Sequence, residues 1–185
     1  MPKAPRRISA PYLARVTAHY LERYATSKAH LRRLLLRRVH RSARHHEADP
    51  EPWIELVDEE LDRLERLGFL NDDAYAADRA RALHRRGAGV RKIQMALREK
   101  GLASEVIEDA IAQLGEGGED PDWVAACTFA RKRRLGPWRR EDADDDRRRK
   151  ELGRLARAGF SFDVARRIVD AESEEALLEA DRERD

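Results

Sequence analysis

The chain has 185 residues, 41% of them hydrophobic and 40% charged, with a formal net charge of only +2. Twenty-eight of the hydrophobic residues are alanine, and Val, Ile, Leu and Phe together make up 38, or 21% of the chain, close to the roughly 20% below which a highly charged chain is expected to stay disordered. Such a composition excludes one large globular core; with ten Gly, seven Pro and few β-branched residues it also argues against a sheet protein.

Periodicity is helical from end to end. Leu13, Val16, Tyr20 and Tyr24 form a first stripe at spacings of three and four. Ser27 is a candidate N-cap for a second helix, whose stripe is Leu31, Leu34 or Leu35, and Val39. Residues 45–52 (HHEADPEP) read as a linker. A third helix carries Ile54, Val57, Leu61 and Leu64 and stops near Gly68. Asn71 or Asp72 caps a fourth with Tyr75, Ala76, Arg79, Ala82 and Leu83, broken by Gly87 and Gly89. A fifth holds Ile93, Ala96 and Leu97 and stops at Gly101; a sixth holds Val106, Ile107, Ala110, Ile111 and Leu114. Residues 115–121 (GEGGEDP) form a turn. Three further helices are expected near residues 123–135, 145–158 and 162–171.

The sequence repeats itself. Leu97, Gly101, Leu102, Val106, Ala110 and Ile111 map onto Leu155, Gly159, Phe160, Val164, Ile168 and Val169, 58 residues on. A fainter copy sets Leu56, Val57, Leu61 and Leu64 under Val106, Ile107, Ile111 and Leu114. The predicted fold is therefore all-α, an elongated, curved tandem array of three three-helix repeats. Nearest-neighbour burial suffices for such an array. The expected boundaries are a flexible basic N-terminus at 1–10, repeats at 11–67, 68–116 and 117–171, and an acidic C-terminal tail at 172–185, read as a solvated helix or a shield for the basic face.

Charge alternates in blocks. Residues 1–46 carry 12 basic against 1 acidic side chain, 47–73 carry 2 against 11, and 74–101 carry 8 against 2. Residues 102–130 carry 0 against 7, 131–170 carry 14 against 8, and 171–185 carry 2 against 7. Helices pairing with their neighbours account for part of this pattern. Yet 32 of the 38 basic residues are Arg, the side chain suited to bidentate contact with phosphate or carboxylate. Basic stripes of this kind mark a nucleic-acid or acidic-groove partner.

Motifs of catalysis are missing from the sequence. It contains no P-loop, and no zinc spacing joins His40, His45 and His46. Asp72-Asp73 and Asp144-Asp145-Asp146 fit helix capping better than a metal site. No catalytic residue, cofactor or metal is expected. The single cysteine, Cys127, reads as a small core residue. No stretch of about 18 apolar residues suggests a membrane span, and the basic start lacks the apolar run of a secretory signal. A soluble cytoplasmic protein, working as a monomer, is the expectation.

The candidate partner-binding residues lie on the basic helices. In the first repeat they are Arg23, Arg32, Arg33 and Arg37. The second supplies Arg81, Arg85, Arg86, Arg91 and Lys92, and the third Arg131, Lys132 and Arg133, followed by Arg134. Trp138, in the rigid turn Leu135-Gly136-Pro137-Trp138-Arg139, is either an aromatic anchor or a ring folded back onto a helix junction.

These residues, in this order and spacing, resemble the RecX family of regulatory proteins that restrain the bacterial RecA recombinase. Tyr20-Leu21-Glu22-Arg23-Tyr24 and Leu31-Arg32-Arg33 carry the likeness in the first repeat. Gly68-Phe69-Leu70-Asn71-Asp72-Asp73-Ala74-Tyr75-Ala76, Arg86-Gly87, Arg91-Lys92-Ile93 and Lys100-Gly101 carry it in the second. Ala130-Arg131-Lys132-Arg133, the Leu135–Arg139 turn and Arg157-Ala158-Gly159-Phe160-Ser161-Phe162 carry it in the third. Ala88, Val90 and Ala158 depart from the family's usual residues, and the overall pattern is similar to its alphaproteobacterial members. The resemblance implies a non-catalytic protein that lies in the groove of the RecA filament on single-stranded DNA. There it would block filament extension and damp strand exchange, ATP hydrolysis and LexA co-cleavage, with single-stranded DNA as a further candidate contact. The competing expectation is a direct nucleic-acid-binding regulator of the helix-turn-helix kind.

Overall fold

The structure is a computed structural model that describes residues 4–141 and 143–177. Among these, nine α-helices follow in chain order: α1 (Ala10–Leu21), α2 (Lys28–His46), α3 (Glu51–Arg66), α4 (Asp72–His84), α5 (Val90–Arg98), α6 (Ser104–Ala112), α7 (Pro121–Arg133), α8 (Asp145–Arg157) and α9 (Phe162–Asp170). Short 3₁₀ turns follow α6 and α7, at Gln113–Gly115 and Gly136–Trp138. No strand occurs among the described residues, and none of their helices is long and apolar enough to cross a membrane.

Local chemistry sets the helix starts. Ser9 Oγ accepts from Tyr12 N, Ser27 Oγ from His30 N at 3.3 Å, Asn71 Oδ1 from Ala74 N at 2.8 Å and Ser161 Oγ from Val164 N at 3.2 Å. Asp144 caps α8 through Arg147 N at 2.8 Å. Each bond satisfies one of the N–H groups that a first turn leaves without a partner.

Three expectations need correcting. Residues 45–52 are not all linker: α2 runs on through His46, Glu47 closes it in the left-handed conformation at φ 50°, and α3 starts at Glu51. Tyr24 lies beyond the end of α1, and the buried positions of that helix are Leu13 and Thr17. The N-terminal segment, in its described part, is anchored rather than flexible. Ile8 is buried, Ser42 Oγ donates to Arg6 O at 2.9 Å, and a ring nitrogen of His46 lies 3.0 Å from Pro5 O. The acidic tail lies outside the described residues from 178 onward.

Contacts divide the chain into two compact units. The first comprises the described residues up to Ala76 together with Glu99–Val106. Leu13 from α1, Leu31, Leu35 and Val39 from α2, and Val57, Leu61 and Leu64 from α3 fill its core, joined by Ile8 and Leu70. Along the α2–α3 seam Lys28 Nζ meets Asp62 at 2.7 Å and Glu65 at 2.6 Å, and Arg32 clasps Asp58 through two bonds of 2.6 and 2.8 Å. The Arg32 guanidinium holds Asp58 below its ordinary range, and the two acids hold Lys28 above its own. Part of the first basic block is thus spent on the acidic block that follows it.

The second unit comprises Ala77–Arg98 and the described residues from Ile107 onward. Its core packs Trp123, Ala125, Ala126 and Ala130 of α7 against Leu155 of α8 and Val164, Ala165, Ile168 and Val169 of α9. Alanines on α7 let these helices approach closely, which is how a chain poor in large apolar residues still closes a core.

One junction occurs twice, once in each unit. At the start of α2, Lys28 N donates to Asp72 Oδ1 at 2.8 Å, and Ser27 Oγ donates to Lys100 O at 2.6 Å. At the start of α5, Val90 N donates to Asp122 Oδ1 at 2.6 Å, and Gly89 N donates to Ala158 O at 3.0 Å. In both cases the second helix of one repeat begins on a carboxylate from the first turn of the next repeat, and on the carbonyl end of that repeat's second helix. Asp72 was a candidate cap for its own helix, but Asn71 holds that place. Burial raises the carboxyls of Asp72 and Asp122 above their ordinary 3.8, against the pull of the N–H groups they accept.

Glycine makes the second junction possible. A Cβ on Gly89 would stand 2.9 Å from the backbone of Gly159, and one on Gly159, itself at φ +103°, 2.9 Å from the backbone of Lys92. Gly159→Ala and Gly89→Ala should each cost about 1–3 kcal/mol, read as a lowered Tm; an unchanged Tm in both would contradict the close approach. Asp122 separates capping from charge. Asp122→Ala should lose about 1 kcal/mol, whereas Asp122→Asn keeps an acceptor for Val90 N without burying a charge. Because the folded-state pKa is raised, wild-type stability relative to Asp122→Asn should fall as pH rises through and above 3.8. Denaturant melts across pH 3 to 7 would show this, and a wild-type stability that fell relative to Asp122→Asn on acidification would contradict it.

Candidate partner-binding surface

The cations of the second unit converge around its junction. A cavity of about 620 Å³ is lined by Lys92 from α5, Phe129, Lys132 and Arg133 from α7, Arg134 just beyond it, and Arg154 and Arg157 from α8, with Ala158. No acidic side chain lines it. Arg133, Arg134 and Arg154 are shared with an adjoining cavity of about 380 Å³ that also takes in Arg140, Arg147 and Lys150, together with Glu141 and Glu151.

Each of these side chains is placed by identifiable local structure. Arg134 occupies the left-handed position that ends α7, at φ 56°, and Leu135 N closes the helix by donating to Ala130 O at 3.0 Å. Arg133 lies over the Phe129 ring, 5.6 Å from its centroid, and that ring meets Phe160 edge-on at 5.9 Å. Lys132 Nζ donates to Arg85 O at 2.9 Å, past the end of α4, where a helix dipole favours a cation. Arg154 and Arg157, three residues apart, share one face of α8. Cations crowded in this way repel one another, and an anionic partner relieves that repulsion.

Beneath the adjoining cavity lies a carboxylate. Glu151 is 3% exposed, accepts from Gly136 N at 3.0 Å and pairs with Arg139 at 2.9 Å. The same Arg139 guanidinium donates to Val169 O at 2.7 Å, so one ion pair ties the Gly136–Trp138 turn to both α8 and α9. Gly136 allows no side chain, because a Cβ there would overlap Ile168 O.

The sequence-predicted residues fall into distinct environments. Lys92, Lys132 and Arg133 line the cavity. Arg85, Arg86 and Arg91 are exposed, as is Arg37. Arg32 is committed to Asp58, and Arg81 pairs with Asp78 at 2.7 Å. Arg33 donates to Glu99 O at 2.7 Å, at the first junction, where burial and the charges of Lys100, Arg33 and Arg37 hold His30 below its usual 6.5. Arg23 lies on a separate cleft of the first unit. Trp138 is folded back: its Nε1 donates to Glu174 at 3.0 Å, and Arg131 pairs with Glu174 while lying 5.6 Å from the indole centroid. Sequence reasoning missed Arg154, Arg157 and the Arg139–Glu151 pair. The spacing of Lys150, Arg154 and Arg157 along one helix face was the signal for the first two; nothing marked Glu151, which sits inside a run of solvated charges.

Among the described residues, no group of three or more His, Cys, Asp or Glu side chains is placed to hold a metal ion. Cys127 is half-buried against the core of the second unit.

Comparison with known proteins bears on this arrangement. Residues 71–111 match the family model described as "RecX, second three-helix domain". The "Regulatory protein RecX" of Myxococcus xanthus is 40% identical over 171 residues, covering 92% of this chain and 90% of its own length. The chain belongs to the RecX family. That of Agrobacterium fabrum is 39% identical over 107 residues, 58% of this chain and 55% of its own. Two RecX crystal structures, each 21% identical and covering 88% of this chain, share the fold. One has a TM-score of 0.61 over 72% of its length; the other, from Lactobacillus salivarius, has 0.63 over 96%. A regulatory role and an all-helical fold therefore belong to this RecX chain.

The buried pair provides a direct check. Glu151→Ala leaves Arg139 without its carboxylate and should destabilise the protein by about 3 kcal/mol, whereas Glu141→Ala, at an 83% exposed side chain, should change stability by less than about 0.5 kcal/mol. Equal effects of the two substitutions on thermal unfolding would contradict the role given to Glu151.

Proposed function

We propose that this protein binds the RecA recombinase filament assembled on single-stranded DNA and inhibits its extension. Strand exchange, ATP hydrolysis and LexA co-cleavage would be damped in consequence, modulating recombinational repair and the SOS response. The single observation that carries this reading is the cavity of the second unit, where six cations gather with no lining acid. A RecA–DNA filament presents phosphate and carboxylate, and Arg engages both through paired N–H donors. Membership of a family of regulatory proteins supports the same conclusion.

The action assigned to the chain is steric and electrostatic. Arg133, Arg134, Arg154 and Arg157 anchor the second unit to an acidic surface, while Arg85, Arg86 and Arg91 supply exposed charge that speeds encounter. No bond is made or broken, and the partner-binding residues need only remain on rigid helices. The second junction provides this, because it fixes the start of α5 against the end of α8.

The test is filament growth on single-stranded DNA by the cognate RecA, followed with substoichiometric amounts of this chain. Growth should slow. Arg133→Glu, Arg154→Glu and Arg157→Glu together should abolish most of the inhibition, and Arg85→Glu, Arg86→Glu and Arg91→Glu should weaken it, with helical circular dichroism unchanged in both triple variants. Unaltered growth in the presence of the wild-type chain would overturn the proposal. Tight sequence-preferring binding to duplex DNA with no effect on RecA would favour a direct DNA-binding regulator instead.

A further inference from the structure

The first unit carries a cleft of a different character. About 640 Å³ in volume, it lies between α1 and α2. Leu31 and Leu35, almost wholly buried, form its floor with Val16 and Leu34. Tyr12, Tyr20 and Tyr24 line it, three of the four tyrosines in the chain. Tyr24 is 56% exposed and lies beyond the end of α1, its ring 5.1 Å from that of Tyr20 and tilted by 43°. Around the rings stand Arg6, Arg15, Arg23 and Arg38, with His19 and no acidic side chain. The Arg15 guanidinium lies 6.0 Å from the centroid of Tyr12.

Rings and cations together restrict the occupant. A purely apolar ligand makes no use of four guanidinium groups, and a bare anion makes none of an aliphatic floor walled by tyrosines. Single-stranded nucleic acid uses both, since unstacked bases offer π-faces to aromatic side chains while the flanking phosphates meet Arg. Duplex DNA keeps its bases stacked inside and has nothing to place in such a cleft.

We propose that this cleft binds single-stranded nucleic acid, with an unstacked base against Tyr20 and Tyr24 and the adjacent phosphates on Arg15, Arg23 and Arg38. The site stands apart from the recombinase reading, because it needs only this chain and an oligonucleotide.

An abasic oligonucleotide separates stacking from charge. Fluorescence anisotropy of the full chain would compare labelled oligothymidylate with an abasic deoxyribose-phosphate strand of equal length. The base-bearing strand should bind about tenfold tighter, the equivalent of one stacked base. Tyr24→Ala, at an exposed position that the fold does not require, should erase most of that preference and leave abasic binding unchanged, and Tyr24→Phe should retain it. Arg23→Gln with Arg38→Gln should weaken both strands equally and flatten the salt dependence. Equal affinity of the wild-type chain for the two strands would overturn the proposal, as would a preference that survives Tyr24→Ala. So would an acidic amphipathic peptide that binds more tightly than oligothymidylate and loses affinity in Tyr24→Ala; that result would give the cleft to a protein helix.

Discussion

α2 and α5 each begin with a backbone N–H whose acceptor is a carboxylate of the following repeat. That constraint organises much of the rest. A helix start left without a partner in a buried place costs about 1–3 kcal/mol, so the second helix of one repeat is satisfied only when the first helix of the next is docked. Asp72 and Asp122 are both raised by burial and both held by the N–H they accept. Each carboxylate lies at the positive end of the helix it caps. Stability in this chain therefore comes from local junctions between neighbours as much as from apolar area, as suits a composition with so few large apolar side chains.

The second junction also places the chemistry. Gly89 and Gly159 bring the backbone of α5 onto the end of α8, and that contact puts Lys92 beside Arg154 and Arg157 on one cavity. Carbonyl groups at the end of α8 and the cations around it compensate one another in part, so a dense cluster of Arg is tolerated in a cavity that no acid lines. In the first unit the balance differs. Lys28 and Arg32 are neutralised by α3, and the exposed character of that unit is set by tyrosines and by the cations around its cleft. The two units thus present different chemistry to a partner: dense positive charge in one, and mixed aromatic and cationic surface in the other.

Sequence periodicity disclosed much of this fold because helix signals are local. Ser27 caps α2, Gly68, Gly87, Gly101 and Gly159 take up positive φ at helix ends, and the equivalence of Leu97 and Leu155 returns as two fully buried side chains. Misreadings arose where a local signal was outweighed. Two prolines and three acids after His46 looked like a linker, yet α2 continues to His46 and needs only Glu47 in the left-handed conformation to stop. Asp72 looked like the cap of its own helix and instead serves α2, 44 residues earlier. Which arginines remain available to a partner was not legible at all. Arg32 and Arg133 are equally basic in the sequence, but one is clasped by Asp58 and the other lies over Phe129 in a cavity without acids. Pairing of that kind depends on non-local approach, and no spacing rule along the chain reveals it.

Hydrogen–deuterium exchange of this chain, alone and on RecA filaments assembled on single-stranded DNA, tests most directly whether the cations at the second junction form the partner-facing surface. The account predicts slowed exchange at the end of α7, the last turns of α8 and the start of α5, with the acidic outer face of α3 unaffected. Protection confined to α3 and α6, or none in the second unit, would contradict it.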